Sequence, residues 1–268
     1  MHKYNTPEFL FRNFTNRDKD LLRITRFSLY KVMFYRSNLF NHAWHVAWLV
    51  DEIAPFAMKK FPQFDSEKAQ MLALVHDDAE IIIGDIQAGN KSKMSKTQLE
   101  QIEQGERRAI TTLAKRFPKK VGTYRYEALL TEVFEDETVE ANIVMLADKI
   151  DAFGETLHEI YAGNPHFVTN VRNEYGKIPT PYEYYIRYLN NFKKKYPRLR
   201  KLLTADFWMF IRPSILDFKL ICSQSKPHSE KSIWKASGYP HYDNWKKVIL
   251  RKGDAQDIKQ LSLQIEEF

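Results

Sequence analysis

The sequence predicts an all-α protein, a helical bundle with a C-terminal helical extension, and three observations point that way. Glycine is scarce, 9 of 268 residues, and aromatic residues reach 14%. Average glycine usage is about 7%, so this mixture suits long helices more than turn-rich sandwiches or glycine-rich nucleotide loops. Apolar residues recur at helical spacing along several stretches. Two capping boxes, Ser95-Lys96-Thr97-Gln98 and Thr180-Pro181-Tyr182-Glu183, mark helix starts by their chemistry: each hydroxyl can accept from the backbone three residues on, and the Gln or Glu can reach back.

Taken in order, residues 17–35 place Leu21, Leu22, Ile24, Phe27, Leu29, Val32 and Met33 at near-helical spacing after Asn16, which predicts a first helix capped by Asn16. Residues 41–59 carry a broad apolar stripe from Ala43 to Ile53, interrupted by Pro55, where a kink or an end is expected. Asp65 or Ser66 caps a third helix with Glu67 in its first turn, running through Met71, Leu72, Leu74 and Val75 into His76 and Asp77. The Ser95 box opens a charged helix to about Arg116 with few strong apolar positions, an outer helix or a lid. Val139, Ile143, Val144, Leu146, Ala147, Ile150, Phe153 and Leu157 mark the buried side of a helix over about 137–161, ended by Gly163-Asn164-Pro165. The Thr180 box starts a helix to about Lys195, Leu202–Ile221 is helical with a break near Pro213, and Ser223–Gly238 is looped.

Composition excludes several classes. A single cysteine, Cys222, rules out an intramolecular disulfide framework and points to a reducing compartment. Hydrophobic residues at 44% and charged residues at 28% are close to globular averages, so a core can be buried. The N-terminus lacks a basic region followed by an apolar segment, and no apolar run approaches the length of a membrane span; a cytoplasmic protein without membrane contact is the expectation. The net charge of +7 suggests an anionic partner, with a solvated basic surface as the plainer reading.

The feature that most needs explaining is a set of polar residues within apolar helix: His42, the consecutive His76-Asp77, and Asp148. An ionised carboxylate is expensive to bury alone, so such groups imply mutual pairing or a metal. Two imidazole nitrogens and two carboxylate oxygens make a borderline donor set suited to Mn, Co, Ni, Fe or Zn. A lone core histidine is the plainer reading of His42 by itself.

The contexts are more specific than the spacing. Asn-His-Ala-Trp-His-Val-Ala at 41–47, Leu-Val-His-Asp-Asp-Ala-Glu-Ile-Ile-Ile-Gly-Asp at 74–85 and Ala-Asp-Lys-Ile-Asp-Ala at 147–152 resemble the HD-domain metal-dependent phosphohydrolases, and within them the bacterial and phage 5′-deoxynucleotidase branch. The resemblance covers about residues 20–165 and implies an HD-domain bundle over 17–165, with 166–268 as a helical and aromatic extension packing on it. It implies that His42, His76, Asp77 and Asp148 hold one divalent cation (Mn, Co, Mg, Ni, Fe or Zn), and that Glu80 and Asp85 stand beside the attacking water and the phosphate. Arg26 lies near the position of a phosphate-contacting Arg, with Arg36 as its competitor. Two departures stand out: Asn41 replaces the acidic residue usual before the first His, and His45 is an extra imidazole. No histidine lies between Asp77 and Asp148, where two-metal relatives generally add ligands, which favours a mononuclear site.

The implied partner is a nucleotide, and a homodimer is compatible with the branch. The expected activity is release of phosphate from (deoxy)nucleoside 5′-monophosphates. The alternatives are a dNTP triphosphohydrolase on the same site and a non-catalytic nucleotide- or RNA-binding module. Lys149 is a candidate for offsetting phosphate charge, against an ordinary surface ion pair. Asp151, one turn after Asp148, either orients a ligand or contacts a sugar hydroxyl, against a buried salt bridge. The run Lys193-Lys194-Lys195-Tyr196-Pro197-Arg198-Leu199-Arg200-Lys201 offers a nucleic-acid contact, though solvated helix ends are the commoner reading. Tyr182, Tyr184, Tyr185 and Tyr188 divide between core packing and base stacking, and Trp234, Tyr239, His241, Tyr242 and Trp245 form an aromatic strap.

Overall fold

The computed structural model describes residues 10–30, 33, 37–86, 88–91, 93–161, 164, 167, 172–173, 176–177 and 179–215. Arg36 and the aromatic segment from Trp234 to Trp245 lie outside the described residues. Helices dominate: α1 (Arg17–Arg23), α2 (Leu39–Lys60), α3 (Ser66–Val75), α4 (Glu80–Ile83), α5 (Ala88–Lys91), α6 (Lys96–Arg116), α7 (Tyr126–Glu135), α8 (Val139–Tyr161), α9 (Pro181–Asn190), α10 (Phe192–Lys195) and α11 (Ala205–Ile215). A 3₁₀ turn covers Pro197–Lys201, and two antiparallel ladders, Lys120–Val121 with Tyr124–Arg125 and Arg172–Asn173 with Gly176–Lys177, are two residues per strand. No helix among the described residues is long and apolar enough to cross a membrane.

The centre is a three-helix contact of α2, α3 and α8. Val46, Val50 and Ile53 of α2, Leu72 and Val75 of α3, and Ile143, Leu146, Ile150 and Phe153 of α8 are buried together. These positions follow the i, i+3, i+4, i+7 repeat that puts one stripe of each helix inward. Helix α9 packs on α8 through the buried Tyr185 and Leu189, and Phe192, Leu199 and Phe207 join the same core.

Local chemistry sets the boundaries. The Asp65 side chain accepts from the Lys68 N–H and starts α3, and both capping boxes form as expected at Ser95 and Thr180. Helix α6 then ends at Arg116, while the helix expected from Thr180 to Lys195 is interrupted at Asn191 between α9 and α10.

One expectation is corrected and one is narrowed. The expected helix over 17–35 stops at Arg23: Asn16 is left-handed with φ 64° and makes no side-chain cap, Ile24 is extended, and Thr25 pairs with Asn38 in an isolated bridge. Phe27 and Tyr30 are core residues all the same, because their rings pack on Phe167 at centroid distances of 5.5 and 4.9 Å. Their spacing mimics a helix, yet tertiary burial of an irregular segment produces it. Pro55 does not end α2. It sits on the exposed side, and the buried Ile53, Ala54 and Ala57 carry the helix on to Lys60.

A buried ion pair ties α1 to the turn after α3. The Arg17 guanidinium donates to both Asp78 carboxylate oxygens at 2.7 and 2.6 Å and to the Leu74 carbonyl, and the Tyr126 hydroxyl donates to Asp78 at 2.7 Å. Arg17 also lies over the Phe11 ring at 3.8 Å. Removing one member leaves the other charge buried and unpaired, so Asp78→Ala is expected to lower the unfolding free energy by about 3–5 kcal/mol, measured by urea denaturation.

Candidate metal centre

The site is assembled where the three central helices meet. Helix α2 supplies His42, the end of α3 and its following turn supply His76 and Asp77, and α8 supplies Asp148. The His42 Nε2 lies 3.1 Å from His76 Nε2, 3.2 Å from Asp148 Oδ1 and 3.4 Å from Asp77 Oδ2. His76 Nε2 is 3.3 Å from Asp77 Oδ2, and donor atoms of His42, His76 and Asp148 all fall within 4.8 Å of one another.

The outward faces of both imidazoles are held. The Nδ1 of His76 lies 2.7 Å from the Ala73 carbonyl oxygen, and the Nδ1 of His42 lies 2.6 Å from Asp151 Oδ2. Both partners accept only, so each ring donates from Nδ1 and turns Nε2 inward. Two imidazole nitrogens 3.1 Å apart require a proton or a cation to join them. Ligands ~2.1 Å from one metal stand about 3.0 Å apart at a right angle and about 3.4 Å apart at a tetrahedral angle. The separations of His42 Nε2 from His76, Asp148 and Asp77, 3.1 to 3.4 Å, are those of ligands sharing one divalent cation; His42, His76 and Asp148 form the mutually close set, and Asp77 stands beside both imidazoles.

The field at the donors favours positive charge. Burial works against the His42 imidazolium, but hydrogen bonds to Asp148 and Asp151 outweigh burial and Arg26 and raise the ring's pKa to about 9. Burial likewise opposes charge on Asp77 and Asp148. The His76 and His42 rings hold Asp77 below the ordinary carboxylate range, and Lys149 with His42 does the same for Asp148. Glu80 runs the other way: burial, Asp77 and Asp85 push its carboxyl well above the usual value. Its Oε2 is buried without a hydrogen-bond partner.

A cavity of about 420 Å³ opens beside this cluster. His76, Asp77, Asp148, Glu80, Asp85, Arg26 and Lys149 all line it, so the structure brings most of the sequence-predicted site residues to one surface. Asp85 stands where the cavity meets a neighbouring groove that runs along α6 past Gln98 and Gln101. Arg26 is buried, with NH1 4.0 Å from Asp77 Oδ2 and Nε donating to Glu155 at 3.0 Å. The Lys149 ammonium is held by Asp148 at 2.5 Å and is largely buried, not on the open surface. Asp151 is placed behind His42, away from the cavity wall, with its second oxygen 3.4 Å from His45 Nδ1. His45 therefore backs Asp151 and does not join the four inward donors.

Several lining residues went unread or underweighted in the sequence. Tyr184, Tyr185 and Tyr188 line the cavity, whereas Tyr182 packs on Phe153. Lys195, at the edge of the basic run, reaches the cavity and lies over the Tyr188 ring at 4.8 Å. Glu155 carried a readable signal, since Asp148, Asp151 and Glu155 fall at i, i+3 and i+7 on one helix face. Asp136, which also lines the cavity and accepts from the Tyr196 hydroxyl, follows a helix that no cap in the sequence announced.

The structure resembles an HD-domain phosphohydrolase from Listeria innocua with a TM-score of 0.54 and 20% identity, covering 80% of this chain and 99% of that one. It also resembles a conserved hypothetical protein from Pyrococcus furiosus, with a TM-score of 0.51, 20% identity, and coverage of 79% and 99%. The model of the 5′-deoxynucleotidase YfbR-like family matches residues 13–196, and the chain belongs to that family. A 5′-deoxynucleotidase of Yersinia pestis (strain Pestoides F) is 30% identical over 132 residues, which is 49% of this chain and 66% of that protein's length.

The cluster generates a binding prediction. Addition of Mn or Co is expected to raise the melting temperature, corresponding to about 2.7 kcal/mol at a hundredfold excess over Kd, and His42→Ala is expected to abolish the shift. Asp151→Asn is expected to weaken metal affinity about 10- to 100-fold in competition with a chromogenic chelator.

Proposed function

We propose that this protein is a metal-dependent phosphohydrolase that releases inorganic phosphate from deoxynucleoside 5′-monophosphates. The observation that carries the reading is the convergence of the His42, His76 and Asp148 donors, all within 4.8 Å of one another, with Asp77 Oδ2 3.4 Å from His42 Nε2, beside a cavity lined by the buried Glu80 carboxyl and the Arg26 guanidinium. Membership of the YfbR-like family, and the 5′-deoxynucleotidase name of the Yersinia relative, supply the substrate class.

His42, His76, Asp77 and Asp148 would hold the cation. When bound there, a divalent ion supplies Lewis acidity that lowers the pKa of a water and offsets charge on a phosphoryl oxygen. The donor set suits Mn, Co, Ni, Fe or Zn, with Mg the hardest of the candidates. Glu80 accepts the proton of the attacking water at its Oε2, which no protein donor occupies. The water oxygen bonds to phosphorus as the bond to the 5′ oxygen breaks, and the proton taken up by Glu80 passes through Asp85 on the cavity wall to that oxygen. Arg26 grips the phosphate, a task suited to the guanidinium fork. Lys149, fixed by Asp148, adds positive charge beside the phosphate, and Asp151 keeps His42 in its ligating tautomer.

Arg26, Lys91, Lys149 and Lys195 are the cations on the cavity wall, and a triphosphate would have to spread its charge over these same four groups.

The test is product release from ribo- and deoxynucleoside mono- and triphosphates with Mn, Co or Mg. Phosphate from deoxynucleoside monophosphates, abolished by EDTA, is the expected result; tripolyphosphate from dNTPs would replace this reading. Glu80→Gln is expected to lower kcat about 10²- to 10⁴-fold while metal binding persists.

A further inference from the structure

We infer that Glu155 is a positioning residue that aims the Arg26 guanidinium into the cavity, as the last step of a carboxylate stripe on α8. The inference rests on the reading of Arg26 as the phosphate-gripping residue. Asp148, Asp151 and Glu155 share one face of α8, three and four residues apart. Asp148 faces the His42 Nε2 at 3.2 Å, Asp151 holds the His42 Nδ1 at 2.6 Å, and Glu155 accepts from the Arg26 Nε at 3.0 Å. Each acid on the stripe therefore fixes one group of the site.

Arg26 needs such a partner because its own backbone leaves its side chain unguided by a helix. It follows the end of α1, its N–H donates to the Ser37 carbonyl, and the next residue, Phe27, is held at φ 51°. A left-handed, non-glycine residue persists only where the surroundings impose it. The guanidinium is thus oriented from α8, 129 residues along the chain. Engaging Nε with a carboxylate fixes the plane of the fork and leaves NH1 on the side of Asp77, 4.0 Å from its Oδ2.

Glu155 and Arg26 are 6% and 8% exposed. A guanidinium buried to this degree requires a charged acceptor, and a charge-assisted bond orients it more tightly than a neutral one. The second carboxylate oxygen, Oε1, has no hydrogen-bond partner. Burial lowers the pKa of the nearby His45, but Asp151 and Glu155 outweigh burial and raise it overall. The extra imidazole thus backs two acids of the same stripe.

A plain structural ion pair predicts loss of stability without a selective effect on phosphate. The discriminating experiment is a double-mutant cycle with Glu155→Gln and Arg26→Ala in the full chain loaded with Mn. It reads KM and kcat for a deoxynucleoside monophosphate, competitive inhibition by inorganic phosphate, and Mn affinity by chelator competition. Glu155→Gln is expected to raise KM and the phosphate inhibition constant about tenfold, to lower kcat by less, and to leave Mn affinity within about twofold. In the Arg26→Ala background it is expected to add no further loss, because its effect runs through Arg26.

Multiplying losses in the double variant, or equal weakening of Mn and phosphate binding, would overturn the inference. If Glu155→Gln fails to fold, Glu155→Asp keeps the charge while withdrawing the carboxylate by one methylene, and a raised phosphate constant remains the expected result. Absence of phosphate release by the wild-type chain would instead sink the proposed activity. Direct calorimetric binding of inorganic phosphate to the same four proteins would then still decide whether Glu155 acts through Arg26.

Discussion

The interaction on which the rest depends is the pairing of carboxylates buried along α8. Asp148, Asp151 and Glu155 project from a helix that also buries Ile143, Leu146, Ile150, Phe153 and Leu157, and none of the three could be sequestered as an isolated anion. Three parts of the fold answer that requirement. Helix α2 brings His42 and His45, the irregular segment after α1 brings Arg26, and α8 itself supplies Lys149. The three-helix core places these groups, and their mutual compensation makes the core affordable.

The same logic explains why the site is rigid. Asp77 sits in the turn after α3, and its neighbour Asp78 is gripped by both Arg17 and Tyr126. A ligand carried on a free turn would sample many positions; here the adjacent residue is anchored from α1 and α7 at once. The imidazoles are fixed from behind by Asp151 and the Ala73 carbonyl. The inward donors are therefore held before any ligand arrives, which limits the ordering cost of binding.

Much of this was legible in the sequence where chemistry is local. Capping boxes at Ser95 and Thr180 fixed two helix starts, and apolar periodicity found the core faces of α2, α3 and α8. The His42, His76-Asp77 and Asp148 contexts pointed to one cluster, which the structure assembles across long separations. What was not legible depended on distant partners. The stop at Arg23 comes from burial of Phe27 and Tyr30 against Phe167, and the continuation past Pro55 comes from the side of α2 that faces solvent. Likewise, nothing local separates Tyr182, which packs on Phe153, from Tyr184 and Tyr188, which face the cavity.

The order of the contributing helices has a consequence for how the chain acquires its site. Helices α2 and α3 are neighbours in sequence and pack on each other, so His42, His76 and Asp77 can gather early, through contacts that close only short loops. The fourth donor and every carboxylate behind the imidazoles arrive on α8, with α4 to α7 intervening. During synthesis from the N-terminus, a nascent chain lacking α8 carries three donors but neither the Asp148 donor nor the Asp151 carboxylate that orients His42. A cation met at that stage gains little from the protein, and tight capture is deferred until the core has closed.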